Sequence, residues 1–219
     1  MIDLYCERTD SSFWSEPLNA LTNFAFIIAS AIALNLWRQC KAQISQSDSI
    51  VLAAMAINIG LIGLGSFLFH TLATQWAMFA DVIPIYIYKV ALLLLYPCIV
   101  LNYSWRASLG LFVLFIASTY AVKFLPLDLN GSQMYLPAIT MLVLFALLHK
   151  HKSQKYDVPL LLANLFFVIS ITLRSIDNLI CQYWPVGSHF GWHLCNGFVL
   201  FYTWKSIYQA IMAKRAADI

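Results

Sequence analysis

Apolar residues run along this chain in seven stretches, near 18–37, 49–70, 78–101, 107–124, 133–150, 158–180 and 187–210. A helix needs roughly 20 predominantly apolar residues to cross a bilayer, so each stretch predicts a transmembrane span. The polar interruptions are short, with no Gly/Ser-rich linker, low-complexity segment or internal repeat to suggest a second domain. The expected fold class is all-α, an integral membrane bundle of seven transmembrane helices. Residues 1–219 then form a single domain, with 1–17 an acidic outer segment ahead of the first helix. Pro84, Pro97 and Pro137 fall inside predicted spans and read as kinks, because neighbouring helices can satisfy the carbonyls they free.

Composition agrees with a membrane protein. The 219 residues are 61% hydrophobic and 11% charged, with mean hydropathy +0.75, which leaves too little polar residue to clothe a soluble globule of this size. A net charge of +3 without basic runs among aromatics argues against nucleic acid. Asp3, Glu7, Asp10 and Glu16 make the start of the chain acidic, unlike a signal peptide, and the N-terminus is expected to be retained. Lys and Arg set the orientation: nine lie after the first, third, fifth and seventh spans and three, Arg8, Lys123 and Arg174, on the other side. The positive-inside rule puts the N-terminus outside and the C-terminus in the cytoplasm. The expected location is a bacterial inner membrane, or the ER or Golgi in a eukaryote. Trp14, Trp76, Trp105, Trp184 and Trp192 near span ends read as an interfacial belt.

Chemistry concentrates where the second span gives way to the third, in SFLFHTLATQWAMFAD from Ser66 to Asp81. Ser66 and His70 are four residues apart, roughly 40° of rotation on a helix, and face the same way. His189 and His193 repeat that spacing at the start of the seventh span. The predicted topology brings His70, Asp81, His189 and His193 to one depth near the outer face, although none of them entered the charge assignment. Three neutral imidazoles with an open position suit catalytic zinc, which keeps a water as fourth ligand and lowers its pKa to about 7. Asp81 is then a candidate to orient that water and take its proton, and Ser66 to donate to a polarised carbonyl oxygen. The plainer readings are a carboxylate that holds a His tautomer and a small helix-packing residue. Within the sixth span, Arg174 and Asp177 are spaced to pair.

The chain resembles the alkaline ceramidases, within the wider superfamily of seven-helix membrane hydrolases that includes the adiponectin receptors. The resemblance spans nearly the whole sequence. It rests on Tyr5-Cys6-Glu7 with FWSEPLNALTN at Phe13–Asn23, on S-x-x-x-H followed eleven residues later by Asp, and on H-x-x-x-H opening the last span. It implies zinc on His70, His189 and His193, assistance from Ser66 and Asp81, and hydrolysis of the amide bond of ceramide or a related lipid. Members similar in the first segment bind calcium there, which implies Glu7 and Glu16, with Asp10, Asp3 and Asn19, as calcium ligands. Hard oxygen donors of this kind suit that ion, and a solvated acidic tail is the bland alternative. This chain has Leu4 where the animal enzymes have Asp.

Of five cysteines, only Cys6 and Cys181 share the outer side in this topology. A disulfide and two free thiols are both compatible with the sequence. Partners are expected to be the bilayer and a membrane lipid substrate, with no nucleic acid and no protein partner evident. The competing function is a seven-helix receptor-like or transport protein without hydrolase activity. That reading leaves the three histidines unexplained.

Overall fold

The computed structural model describes residues 1–126 and 129–217, and the regular structure among them is helical throughout. In order come α1 (Pro17–Thr22), α2 (Phe24–Cys40), α3 (Gln46–Leu72), α4 (Gln75–Ile99), α5 (Trp105–Val122), α6 (Leu136–Ser153), α7 (Val158–Ile180) and α8 (His189–Ala217). Short 3-10 turns at Lys41–Gln43 and Ser132–Tyr135 join α2 to α3 and lead into α6.

Several helices start where a side chain satisfies the first free amides. Ser45 accepts the Asp48 N–H at 3.1 Å, which starts α3 before the apolar run begins. Ser104 accepts the Ala107 N–H at 3.3 Å ahead of α5, and Asp157 accepts the Leu160 N–H at 3.1 Å ahead of α7. The first predicted span is divided at Asn23, whose amide donates to the carbonyls of Asn19 and Ala20. Pro84 and Pro97 lie inside α4, which runs through them. Pro137 lies in the first turn of α6. It starts a helix instead of kinking one, because no intrahelical N–H is required there.

Six segments are long and apolar enough to cross a membrane: Pro17–Gln43, Gln46–Leu72, Gln75–Ile99, Trp105–Val122, Ser132–Ser153 and Val158–Ile180. The chain is a multi-pass membrane protein. The 29-residue α8 is long enough but less apolar, carrying His189, His193, Asn196, Thr203 and Lys205. Its place in the bundle accounts for this, since it packs against α7, α1, α2, α3 and α4 and turns much of its surface to protein instead of lipid. Trp204 of α8 is fully buried, with its indole N–H donating to the Leu52 carbonyl at 2.9 Å. Outward-facing Ile28, Val113 and Leu147 are exposed, as lipid contact requires. Trp14, Trp76, Trp105 and Trp184 are exposed too, whereas Trp192 is buried at 7%. Trp192 therefore does not belong to an aromatic belt.

Helices α3 and α4 meet backbone to backbone. A Cβ on Gly65 would run into the Ala80 carbonyl and lie 2.9 Å from the Asp81 amide nitrogen. Only glycine permits that approach, and it sets Ser66 beside Asp81.

Candidate active site

His70 ends α3 and His189 and His193 open α8, one turn apart, so two helix ends deliver three imidazoles to one point. One ligand atom from each lies within 4.8 Å of the others. The ring centroids are 4.6 Å apart for His189–His193, 4.7 Å for His70–His193 and 5.3 Å for His70–His189. All three residues are at most 1% exposed.

Two of the rings have a tautomer set by their partners. His70 Nδ1 lies 2.6 Å from Glu16 Oε2 and donates to that carboxylate, leaving the Nε2 lone pair available. The hydroxyl of Thr22 donates to the Leu18 carbonyl at 2.7 Å, so it accepts from His193 Nδ1 at 3.0 Å. His193 Nε2 is then a lone pair in a buried place with no hydrogen-bond partner. His189 is fixed differently: it stacks on Tyr5 at 3.6 Å and on Trp192 at 5.2 Å, and its Nδ1 is also unpartnered.

Ser66 lies one turn before His70 on α3, and Asp81 faces Ser66 and His70 from α4. Ser66 Oγ and Asp81 Oδ1 are buried without hydrogen-bond partners. Buried polar atoms are nearly always paired, so four unpaired atoms around one point mark a place built for something else. A divalent metal with an oxygen ligand fits this donor set. Three imidazoles, two of them oriented by neighbours, could hold a metal ion.

The acidic segment at the N-terminus is arranged otherwise. Glu7 accepts the amide N–H groups of Leu18 at 2.7 Å and Asn19 at 2.8 Å, and so caps α1. Burial raises its carboxyl above the ordinary range despite those two bonds. Glu16 is bonded through one oxygen to Arg8 and through the other to His70 and, at 3.0 Å, to the Asn19 amide. Burial pushes the Glu16 carboxyl up, but the bonds from His70, Asn19 and Arg8 outweigh that and hold it below its usual value. Asp10 is exposed and accepts the Ser12 N–H, and Asp3 is exposed as well. Calcium takes six to eight oxygens, and here only Asn19 Oδ1 is left over among the buried ones. These residues do not fit a calcium ion. Among the described residues, the His cluster is the only group of three His, Cys, Asp or Glu donors that converges.

Cys6 and Cys181 are joined as a disulfide, with Cα atoms 5.2 Å apart. It ties the N-terminal segment to the end of α7. Gly187, at φ +68°, lies against this junction, and a Cβ there would sit 2.7 Å from that of Cys6. Asp177 does not pair with Arg174. Its Oδ1 accepts the N–H groups of Ser188 at 2.6 Å and His189 at 2.9 Å, which fixes the start of α8. Arg174 donates to the Tyr5 hydroxyl at 3.0 Å and lies near the rings of Tyr135 and Trp192. Sequence reading missed Tyr5, Arg8, Thr22 and Trp192 as site residues. Thr22 lies in the quoted FWSEPLNALTN stretch, but nothing local says that its hydroxyl meets a histidine 171 residues away.

The family model for ceramidase matches residues 4–217. The chain belongs to the ceramidase family. No curated protein and no solved structure matches it. For this ceramidase-family chain, a neighbouring cavity acquires a meaning. It measures ≈ 100 Å³ and is lined mainly by apolar side chains, including Phe26, Ile62, Leu92, Phe167 and Trp192. Phe26 also packs edge-on to His193 at 6.3 Å, so cavity and histidines share a wall. Lys89 reaches the cavity from α4, with its ammonium 4.0 Å from the centre of the Tyr86 ring.

Proposed function

We propose that this chain is a zinc-dependent intramembrane lipid amidase that cleaves the N-acyl bond of ceramide or a related lipid. The observation that supports it best is the convergence of three buried imidazoles, with Asp81 facing both His70 and the Ser66 hydroxyl and an apolar cavity alongside. His70, His189 and His193 would hold the zinc, which supplies a Lewis acid that makes water a nucleophile near neutral pH.

The chain's own groups do the rest. The cavity takes the acyl chain and keeps bulk water from the amide. Asp81 accepts a proton from the attacking water as its oxygen bonds to the carbonyl carbon. Ser66 donates a hydrogen bond to the carbonyl oxygen, which gains charge as the water oxygen adds to the carbonyl carbon. Asp81 then returns the proton to the departing nitrogen, giving a free amine and a fatty acid. Glu16 and Thr22 keep His70 and His193 in the tautomer that a metal requires. With the N-terminus outside, this chemistry takes place near the outer leaflet.

The test joins metal content to lipid profiling. Purified protein should carry about one zinc per chain, and membranes incubated with it should lose an N-acyl lipid and gain the matching amine, whereas His70→Ala should do neither. A protein that holds no zinc under any loading condition, or a lipid profile identical for the two proteins, refutes the proposal.

A further inference from the structure

Arg8 is among the most deeply placed charges of the chain, 5% exposed, and it is not part of any helix. Each end of its guanidinium is used. Nε donates to Glu16 Oε1, Nη1 to the Asp10 carbonyl at 3.2 Å, and Nη2 to the His70 carbonyl at 2.7 Å. The planar fork thus binds at once the carboxylate that orients the His70 ring and the backbone of His70 itself. Glu16 is 2% exposed and would be a buried anion without this partner.

From these contacts we propose that Arg8 is the built-in counter-ion of the N-terminal acidic segment, doing there what a bound cation would do. It makes the segment independent of calcium and holds Glu16, and through it His70, in register for metal. The inference rests on the reading of the three histidines as a metal site. The acidic residues point the same way: Glu7 spends both oxygens on the start of α1 and Glu16 both on Arg8, His70 and Asn19, so no set of carboxylate oxygens is left facing a common centre. A guanidinium can fill the place because it offers five donors in a rigid plane and stays charged when buried, neither of which a lysine matches. Arg8 touches no reacting atom and is a positioning residue, acting through Glu16.

The full-length protein in detergent tests this with two readouts that do not depend on turnover. In the first, the melting temperature of wild type is compared in a calcium chelator and in calcium up to about millimolar. No shift is expected, and a rise of several degrees with calcium overturns the proposal. In the second, metal-free protein is titrated with Co²⁺ and followed by its visible absorption. Arg8→Gln should bind Co²⁺ about 10- to 100-fold more weakly, the range for loss of a group that supports a metal-bound His, with an altered band shape. Arg8→Lys should recover part of the affinity. Wild-type affinity and spectrum in Arg8→Gln overturn the proposal. Should that variant fail to fold, the Arg8→Lys spectrum and the wild-type calcium series still decide. Absence of any Co²⁺ site in wild type would instead sink the reading of the histidines, which separates the two failures.

Discussion

Replacing Gly65 with Ala adds one methyl group at the point where α3 touches α4. The new carbon would lie 2.6 Å from the Ala80 carbonyl carbon and 2.9 Å from the Asp81 amide nitrogen. Comfortable separation between such atoms is about 3.5 Å or more. The obstacle is helix backbone, not the flexible end of a side chain, so α4 must back away by about 1 Å. Overpacking of this kind costs about 1–3 kcal/mol of stability. The displacement falls on Asp81, while His70, His189 and His193 belong to α3 and α8 and keep their places. Metal content should therefore stay at the wild-type level and turnover should drop by about 10²-fold, the usual consequence of a 1 Å misplacement of a reacting group. The assay is hydrolysis of an N-acyl lipid by protein of matched zinc content, with a thermal melt alongside. Wild-type turnover in a Gly65→Ala protein that folds would refute the claim that this contact positions Asp81.

Asp81→Asn should retain zinc and lose about 10²–10⁴-fold in turnover, because the carboxylate is assigned to proton transfer and not to the metal; full activity would leave Asp81 a structural role only. Ser66→Ala should be milder, about 10²–10³-fold in kcat, and an unchanged rate would return Ser66 to helix packing. Mass spectrometry of non-reduced, alkylated protein should yield a linked Cys6–Cys181 peptide. Reducing that bond should lower the melting temperature, since it closes a loop of 175 residues, worth at most about 5 kcal/mol by chain entropy; alkylation of both thiols without reduction would refute it.

Local periodicity carried the sequence reading a long way. Helical spacing alone puts Ser66 on the face of His70 and His189 on the face of His193, and long apolar runs announce helices because a bilayer core allows little else. The quoted motifs were enough to suggest the family. What stayed hidden was every contact between elements far apart in the chain. Glu16 read as an oxygen ligand for calcium, yet residue type does not reveal that its partners are Arg8 and a histidine 54 residues on. Arg8 itself entered only as a loop charge. Trp192 looked like an interfacial anchor because it follows a loop, but α8 is the central helix and its opening turn is buried against His189. Pro137 looked like a kink because the apolar run begins before the helix does. Asp177 was matched with Arg174 by spacing, whereas the free amides at the start of α8 compete for the same carboxylate and win. Sequence thus determined which residues face the same way on each helix, since that depends on 3.6 residues per turn alone. Which faces meet was left to packing, where a single missing Cβ at Gly65 and one buried guanidinium at Arg8 decide how the ends of α3, α4 and α8 close around the histidines.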